Sequence, residues 1–306
     1  MKLRRLFYFL KPLMPRLLQI AVRRKLVAVQ KRRYENIWPI YPGSDKPPRH
    51  WQGWPDGRQF ALVLTHDVET AKGQSRCAEL MRLEQQRGFA SSFNFVPERY
   101  ADDPLLRQTL TANGHEVGVH GLYHDGKLFS SKKIFDERAK KINGYLRQWQ
   151  AVGFRSPAMH HNLEWLGELD VEYDLSTFDT DPFEPQSDGV GTIFPFYVPR
   201  KGNRIGYIEM PYTVPQDFTL FIIMQEKGPK IWRQKLDWVA ERGGMLLINT
   251  HPDYMLFNGK EESMEEYPAT FYLEFLDYVR EKYDGRFWQA LPKEVATFSK
   301  LTHFSS

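Results

Sequence analysis

The residues best suited to chemistry in this sequence are two acids that directly follow an apolar run. Asp67 and Glu69 come immediately after 59-QFALVLT-65, which has the composition of a buried strand. Holding charge at the end of a buried strand is costly and indicates a function. Carboxylates in such a place act as proton acceptors or as ligands of a divalent metal ion.

Three more groups of polar residues follow later apolar runs: 120-HGLYH-124, 155-RSP-157 and 250-THPDY-254. Each is weak evidence alone. Two histidines four positions apart are common by chance, and the Glu that zinc proteases place after the first His is replaced by Gly121. Their shared position after strands is what makes the groups informative.

The elements that must position these groups alternate between short apolar runs and longer amphipathic ones, a pattern typical of parallel strands joined by helices. The predicted strands are 59–65, 90–96, 116–120, 151–155, 173–177, 207–212 and 245–250, and the main predicted helices are 75–87, 131–149, 229–242 and 268–283. This predicts an α/β fold, an irregular (β/α)7-type barrel. The carboxyl ends of its strands form one rim, where the four polar groups should converge.

Composition permits such a barrel. A chain of 306 residues with 42% hydrophobic content can bury a large core. The single cysteine, Cys77, cannot form an internal disulfide, which is consistent with a reducing compartment.

Charge is unevenly distributed along the chain. Eleven of the 42 Lys and Arg residues lie in residues 1–33, which contain no acid, so residues 34–306 set 31 basic against 38 acidic groups and carry a net charge of −7. The basic arm is amphipathic, and its longest uncharged stretch is too short to cross a membrane. We expect it either to contact an anionic membrane surface or to pack on the body or on a second subunit. A nucleic-acid partner is not expected, because the acidic body would repel phosphate.

The domain organisation predicted from these patterns has two parts. Residues 1–57 form the basic arm and a Pro- and Trp-rich linker, and residues 58–306 form the barrel. No clear signal peptide is present, so the sequence predicts a cytoplasmic protein, with peripheral attachment to the inner membrane surface as the alternative location.

The series 65-THDVE-69, 114-GHEVGVHGLYH-124, 153-GFRSP-157 and 247-LINTHP-252 resembles the motifs of the polysaccharide deacetylase family, carbohydrate esterase family 4 with its NodB-homology domain. Their order and spacing match that pattern across most of the predicted barrel. The resemblance implies a barrel of about seven strands that removes acetyl groups from N- or O-acetylated sugars with the help of a metal ion.

The resemblance also implies a role for individual residues. Asp67 matches the family's catalytic base, Arg155 matches the arginine that orients the base, and His251 matches the catalytic acid. His120 and His124 match its two metal-binding histidines.

The first motif departs from the usual pair of adjacent aspartates, because Val68 follows Asp67. A subset of the family has Asp-Val-Asp, and Glu69 stands where that subset has its second acid. We therefore expect Glu69, His120 and His124 to bind a divalent metal, with Zn favoured and Co, Ni, Fe and Mn as alternatives.

Substrate contacts are expected from Tyr123 and Pro157, which adjoin the second and third motifs, and from Asp179 and Asp181 in 173-YDLSTFDTDPFEP-185. A backbone N–H near Tyr123 is the expected donor to the oxyanion. Together with Asp174, these two acids are also candidates for a salt bridge to Arg155.

The function expected is that of a metal-dependent hydrolase that removes acetyl from an N-acetylated sugar of a polysaccharide or glycolipid during surface-polysaccharide biosynthesis. Two alternatives remain open. One is hydrolysis of another C–N bond, by a deformylase on a lipid-linked sugar or by a cyclic amidase, and the other is a non-catalytic carbohydrate-binding barrel.

Overall fold

Strand β1 (Phe60–Val68) is buried at every position and lies at the centre of the sheet. Its nearly unbroken apolar run suits a parallel strand that is covered on both faces. It pairs in parallel with β2 (Ser92–Phe95), β8 (Met245–Thr250) and β11 (Phe287–Gln289). The structure is a computed structural model that describes residues 15–49, 51–202, 205–259 and 263–304.

The sheet continues from β2 through β3 (Glu116–His120), β4 (Gly153–Arg155), β5 (Tyr173–Asp174) and β7 (Tyr207–Glu209), all parallel, to an antiparallel edge strand, β6 (Phe196–Val198). After β7 the chain turns back toward β8, where the Thr213 amide donates to the Leu247 carbonyl at 3.0 Å. The sheet is therefore curled into a barrel that is incompletely paired between its ends. The predicted irregular (β/α)7-type barrel is confirmed.

Helices cover the outside of this sheet. They are α2 (Ala71–Gln85), α3 (Pro104–Ala112), α4 (Lys132–Trp149), α5 (Leu163–Leu166), a π-helical turn (Phe218–Ile223), α6 (Lys230–Arg242), α7 (Thr270–Tyr283) and α8 (Pro292–Phe304). A second, two-stranded parallel sheet, β9 (Met255–Leu256) and β10 (Tyr267–Pro268), precedes α7. Helix α4 shows why they form: Ser131 caps its first turn, and its buried residues recur every three or four positions. The predicted strands and helices all occur, whereas α3, α5, α8, β6, β9, β10, β11 and the π-helical turn were not predicted.

The N-terminal helix α1 (Arg16–Lys31) packs on the body through Ile20 and Val27, which are both buried. Polar contacts hold the same side of the helix: Arg24 Nε donates to the Ile222 carbonyl at 2.9 Å, and Lys31 pairs with Glu226 at 2.7 Å. One of the two expected arrangements of the arm, packing on the body, is thus seen for residues 16–31. Among the described residues, none of the helices has the length and apolar character needed to cross a bilayer. The prediction for residues 1–14 lies outside the described residues.

Trp51 and Trp54 of the Pro- and Trp-rich segment close the end of the barrel opposite to the carboxyl ends of the strands. The ring of Trp54 lies 5.8 Å from that of Trp288 and 5.9 Å from that of Phe298, and Trp51 packs edge-on against Trp54 at 4.7 Å. The Trp54 indole also donates to the Gly243 carbonyl just before β8. Because aromatic rings fill this end, the opposite rim is the open one.

Glu116, at the start of β3, should make stability depend on pH. Burial raises the pKa of its carboxyl from 4.5 to about 7, despite hydrogen bonds from the Tyr173 hydroxyl and the Lys293 amide. The folded protein therefore binds a proton that the unfolded chain releases, and this contribution to stability is present at low pH and lost as the pH rises through about 7. The shift corresponds to about 3 kcal/mol.

We expect Glu116→Gln, which mimics the protonated acid, to raise the melting temperature at pH 8 relative to the unmodified protein and to leave it nearly unchanged at pH 4. Thermal unfolding followed by circular dichroism at both values measures this. An equal effect of the substitution at the two pH values would contradict the assignment.

Candidate active site

Asp67 and Glu69 sit at the carboxyl end of β1, two positions apart, so both side chains point to the same face of the strand. The neighbouring strands bring the other motifs to the same rim. Asp67 is opposite Asn94 in β2, and His120 is opposite Arg155 at the ends of β3 and β4. The predicted convergence of the strand ends is what the fold produces.

The carboxylate of Asp67 is almost without solvent exposure and is held by three side chains. Asn94 and Arg155 donate to Oδ1 at 3.0 and 3.1 Å, and Asn249 donates to Oδ2 at 2.8 Å. Burial alone would raise the pKa of Asp67, but the charge of Arg155, together with protonated His251 and the hydrogen bond from Asn249, more than offsets it, and the pKa lies below its usual value. Asp67 is therefore ionised at neutral pH.

Arg155 is completely buried and fixes this arrangement. Its Nη1 reaches Thr65 Oγ1 at 2.9 Å and Asn249 Oδ1 at 2.7 Å as well as Asp67, and its Nε donates to the Leu175 carbonyl at 3.0 Å. A guanidinium held at several points positions the carboxylate rigidly.

Glu69, His120 and His124 form a group that could hold a metal ion. One ligand atom from each residue lies within 4.8 Å of the other two. One carboxylate and two imidazoles are a donor set that Zn²⁺ and other first-row divalent ions accept, with positions left open for other ligands.

The protonation of His120 suits a ligand. Its Nδ1 lies 3.1 Å from the Arg155 carbonyl oxygen, which can only accept, so Nδ1 carries the proton and Nε2 keeps a free lone pair. Within the described part of the chain, this buried Nε2 has no hydrogen-bond partner. Burial lowers the pKa of His120 to about 4, which keeps the ring neutral. A buried, unpartnered lone pair beside two other ligand atoms is what a metal site requires.

His124 completes the group from a left-handed backbone conformation, with φ of 56°. Its Nε2 lies 2.8 Å from Glu69 Oε1. The other oxygen of Glu69 accepts from the Tyr254 hydroxyl at 2.9 Å. The close approach of Nε2 and Oε1 places two candidate ligand atoms where one ion could contact both.

Gly121, which follows His120, explains why the histidine motif begins His-Gly. Its φ is 63°, and a Cβ at this position would lie 2.5 Å from Pro157 Cγ. Glycine thus lets the loop that carries His124 turn tightly against Pro157.

His251 faces this group from the end of β8 and is held by Asp217. Its Nδ1 donates to Asp217 Oδ1 at 2.6 Å, and its amide donates to Oδ2 at 2.7 Å. Burial opposes protonation, but Asp217 more than compensates and raises the pKa of His251 to about 10. Its Nε2 lies 3.8 Å from Glu69 Oε1, so a protonated donor stands beside the candidate metal ligands.

These side chains lie in a cleft of about 1210 Å³. Its walls include Pro157, one of the predicted substrate contacts, together with Phe218, Tyr254 and two arginines of α1, Arg16 and Arg23. The N-terminal helix is therefore part of the cleft wall, which the sequence did not predict.

The side chains of the other predicted substrate contacts bind other groups of the protein. Asp179 pairs with the buried Lys235 at 2.6 Å, and Asp181 accepts from the Phe183 amide and the Tyr212 hydroxyl. The Tyr123 hydroxyl lies 3.0 Å from Lys141 Nζ, on the outer side of the histidine loop. Burial raises the pKa of Asp179 to about 6, and burial together with the nearby Glu184 raises that of Asp181 to about 8. Their role as substrate contacts stays a prediction.

Three residues of the site were not predicted: Asn94, Asn249 and Asp217. Asn94 and Asn249 each interrupt an apolar strand, in 90-ASSFNFV-96 and 245-MLLINT-250, and a buried amide in such a run was an available signal. Asp217 lies between Gln216 and the π-helical turn, and its sequence position gives no indication of its contact with His251.

No family model matches this chain, and no curated protein matches it. Several solved structures do match this chain. A protein assigned as a polysaccharide deacetylase from Mycobacterium smegmatis has a TM-score of 0.63 at 18% identity, covering 82% of this chain and 93% of its own. A second protein assigned as a polysaccharide deacetylase, from Pseudomonas aeruginosa PAO1, has a TM-score of 0.60 at 16% identity, covering 82% of this chain and 94% of its own.

The chain has the polysaccharide deacetylase fold. A PuuE allantoinase shares it too, with a TM-score of 0.61 at 14% identity, covering 84% of this chain and 95% of that one. At these identities the likeness shows the fold alone, so the chemistry must be argued from the side chains of the site.

We expect the purified protein to bind about one divalent ion per chain. His120→Ala and His124→Ala should each weaken binding more than about 100-fold, because two ligands cannot replace three. His161→Ala is the matched control, since that ring bonds to the Met159 carbonyl. Elemental analysis after dialysis against Zn²⁺ measures the content, and unchanged metal in both ligand variants would contradict the site.

Proposed function

We propose that this protein is a metal-dependent hydrolase of the polysaccharide deacetylase family, of the Asp-Val-Asp/Glu subset, which removes acetyl from an N-acetylated sugar of a polysaccharide or glycolipid. The observation that carries the proposal is the meeting of three groups in one cleft: an ionised carboxylate, three candidate ligands and a protonated histidine. Amide hydrolysis needs a proton acceptor, an electrophile and a proton donor.

Glu69, His120 and His124 would hold the ion, with Zn favoured over Co, Ni, Fe and Mn. A bound ion would polarise the acetyl carbonyl and lower the pKa of a water molecule. His120 would be a neutral ligand, since its Nδ1 proton is fixed by the Arg155 carbonyl.

Asp67 would accept the proton of the attacking water. It is ionised at neutral pH, and Arg155, Asn94 and Asn249 fix both its oxygens. A base that is already in position needs no reorganisation when the proton moves.

His251 would donate a proton to the leaving nitrogen. An amine leaves poorly unless it is protonated, and Asp217 keeps His251 charged and oriented through two hydrogen bonds. Asp217 accepts further bonds from the Phe218 amide and the Tyr267 hydroxyl, so it is a positioning residue rather than a group that touches substrate.

Residues 58–306 would act as the catalytic unit, and residues 1–33 as a peripheral contact with an anionic membrane. A role in surface-polysaccharide biosynthesis at the cytoplasmic side of the inner membrane fits this arrangement. A second candidate activity is hydrolysis of a cyclic amide by the same groups, since a protein named as an allantoinase shares this fold.

A panel of substrates separates these activities. Metal-loaded protein should release acetate from N-acetylated sugars, and neither formate from N-formyl sugars nor a ring-opened product from cyclic amides. Chelation should abolish release, and added metal should restore it. If formate or a ring-opened product were the main product, the deacetylase proposal would be wrong. Turnover that persists after verified removal of the metal would contradict the metal-dependent mechanism.

The roles of His251 and Asp217 predict a difference between substrates. His251→Ala and Asp217→Asn should lower turnover of an N-acetyl sugar by about 10²- to 10⁴-fold, and that of an activated acetate ester far less, because its leaving group needs no proton. Asp237→Asn is a matched control, since Asp237 also accepts from tyrosine hydroxyls, those of Tyr278 and Tyr283. Equal losses on amide and ester would mean that His251 is not the acid.

Asp67→Asn should retain the metal, because Glu69, His120 and His124 are unchanged, and should lose about 10²- to 10⁴-fold in turnover on amide and ester alike. Parallel metal analysis and kinetics measure both effects. Turnover within a few-fold of the unmodified protein would contradict the assignment of Asp67 as the base.

A further inference from the structure

Helix α1 has two different sides. Arg16, Ile20, Arg23 and Val27 recur every three or four positions and face the body and the cleft. Leu18, Lys25 and Val29, which are seven and then four positions apart, lie on the opposite side, which is exposed to solvent. We call the side that carries Leu17, Leu18, Lys25 and Val29 the outer face of α1.

The outer face exposes large apolar side chains. Leu17 is 58% exposed, Leu18 49% and Val29 81%, so three of the eight large hydrophobic residues that the described chain exposes lie on this one helix. Such a concentration is typical of a surface that binds something.

Charge indicates what this surface binds. Residues 16–31 contain five basic residues and no acid, and residues 1–14, which lead directly into α1, add four basic residues and no acid. The rest of the chain is acidic overall, so an anionic surface would repel the body and attract this helix. Arg16, Arg24 and Lys31 contact the body, but on the outer face Lys25 lies exposed among leucine and valine side chains, and the exposed Arg32 and Arg33 follow the helix. A basic, apolar surface of this kind matches the interface of an anionic bilayer.

We propose that the outer face of α1 docks on an anionic lipid bilayer and so places the mouth of the cleft at the membrane surface. The inner side of the same helix supports this orientation, because Arg16 and Arg23 line the cleft and flank the Phe218 ring at 5.5 and 5.3 Å. One helix thus lies between the bilayer and the cleft.

This orientation favours an amphiphilic substrate, a glycan linked to a lipid whose sugar end reaches the cleft while its lipid end remains in the bilayer. That part of the inference rests on the function proposed above. The docking itself does not, because vesicle binding is measured without turnover.

Point substitutions test the outer face better than truncation, since removing α1 would uncover the surface that Ile20 and Val27 bury. The test variant is Leu18→Glu with Lys25→Glu. The matched control is Leu105→Glu with Lys140→Glu, which changes an exposed leucine on α3 and an exposed lysine on α4 with the same change in net charge. Both are compared with the unmodified full chain.

The probe is co-sedimentation with phosphatidylcholine vesicles, with and without phosphatidylglycerol. We expect the unmodified chain and the control to bind the anionic vesicles in a salt-sensitive way, and the test variant to bind at least about tenfold more weakly. Retained metal content and an unchanged melting temperature would show that the test variant is folded.

Two results would overturn the proposal. One is equal vesicle binding by the test variant and the control, or no binding by the unmodified chain. The other is a concentration-dependent dimer, seen by analytical ultracentrifugation, that the test variant loses, because a second copy would then cover the outer face.

Discussion

The structure depends on one buried carboxylate. Asp67 lies almost without solvent at the end of the central strand, and it remains ionised only because Arg155, Asn94 and Asn249 surround it. Removing the partner of a buried charge typically costs about 3–5 kcal/mol. The four residues belong to four different strands, so this cluster also fixes the register of β1, β2, β4 and β8 relative to one another. The strand register and the ionised base therefore both depend on the residues that surround Asp67.

The candidate metal ligands depend on that cluster. The carbonyl of Arg155 sets the proton on His120, while its guanidinium holds Asp67. A shift of β4 would therefore disturb the base and the ligand together. Opposite environments give the two proton-transfer groups opposite charges: Arg155 keeps Asp67 negative, and Asp217 keeps His251 positive. Such pairs of shifted groups in a cleft are typical of active sites.

Much of this could be predicted from the sequence because strong local patterns carry it. The apolar run 60-FALVLT-65 predicts a buried strand, and polar residues that follow successive parallel strands meet at one rim of the barrel. Contacts between distant segments could not be predicted. Nothing in the composition of residues 16–31 shows that Arg16 and Arg23 reach the cleft, and Asp217 finds His251 only through the fold. Asp179 was expected at the substrate, but its sequence does not reveal the buried Lys235 that occupies it.

Anomalous diffraction at the zinc edge, from crystals of the zinc-loaded protein, tests most directly whether Glu69, His120 and His124 hold one ion beside Asp67 and His251. We expect one strong peak about 2.0–2.2 Å from Nε2 of both histidines and from a Glu69 oxygen. A peak at any other set of residues, or none after loading that elemental analysis verifies, would contradict this arrangement.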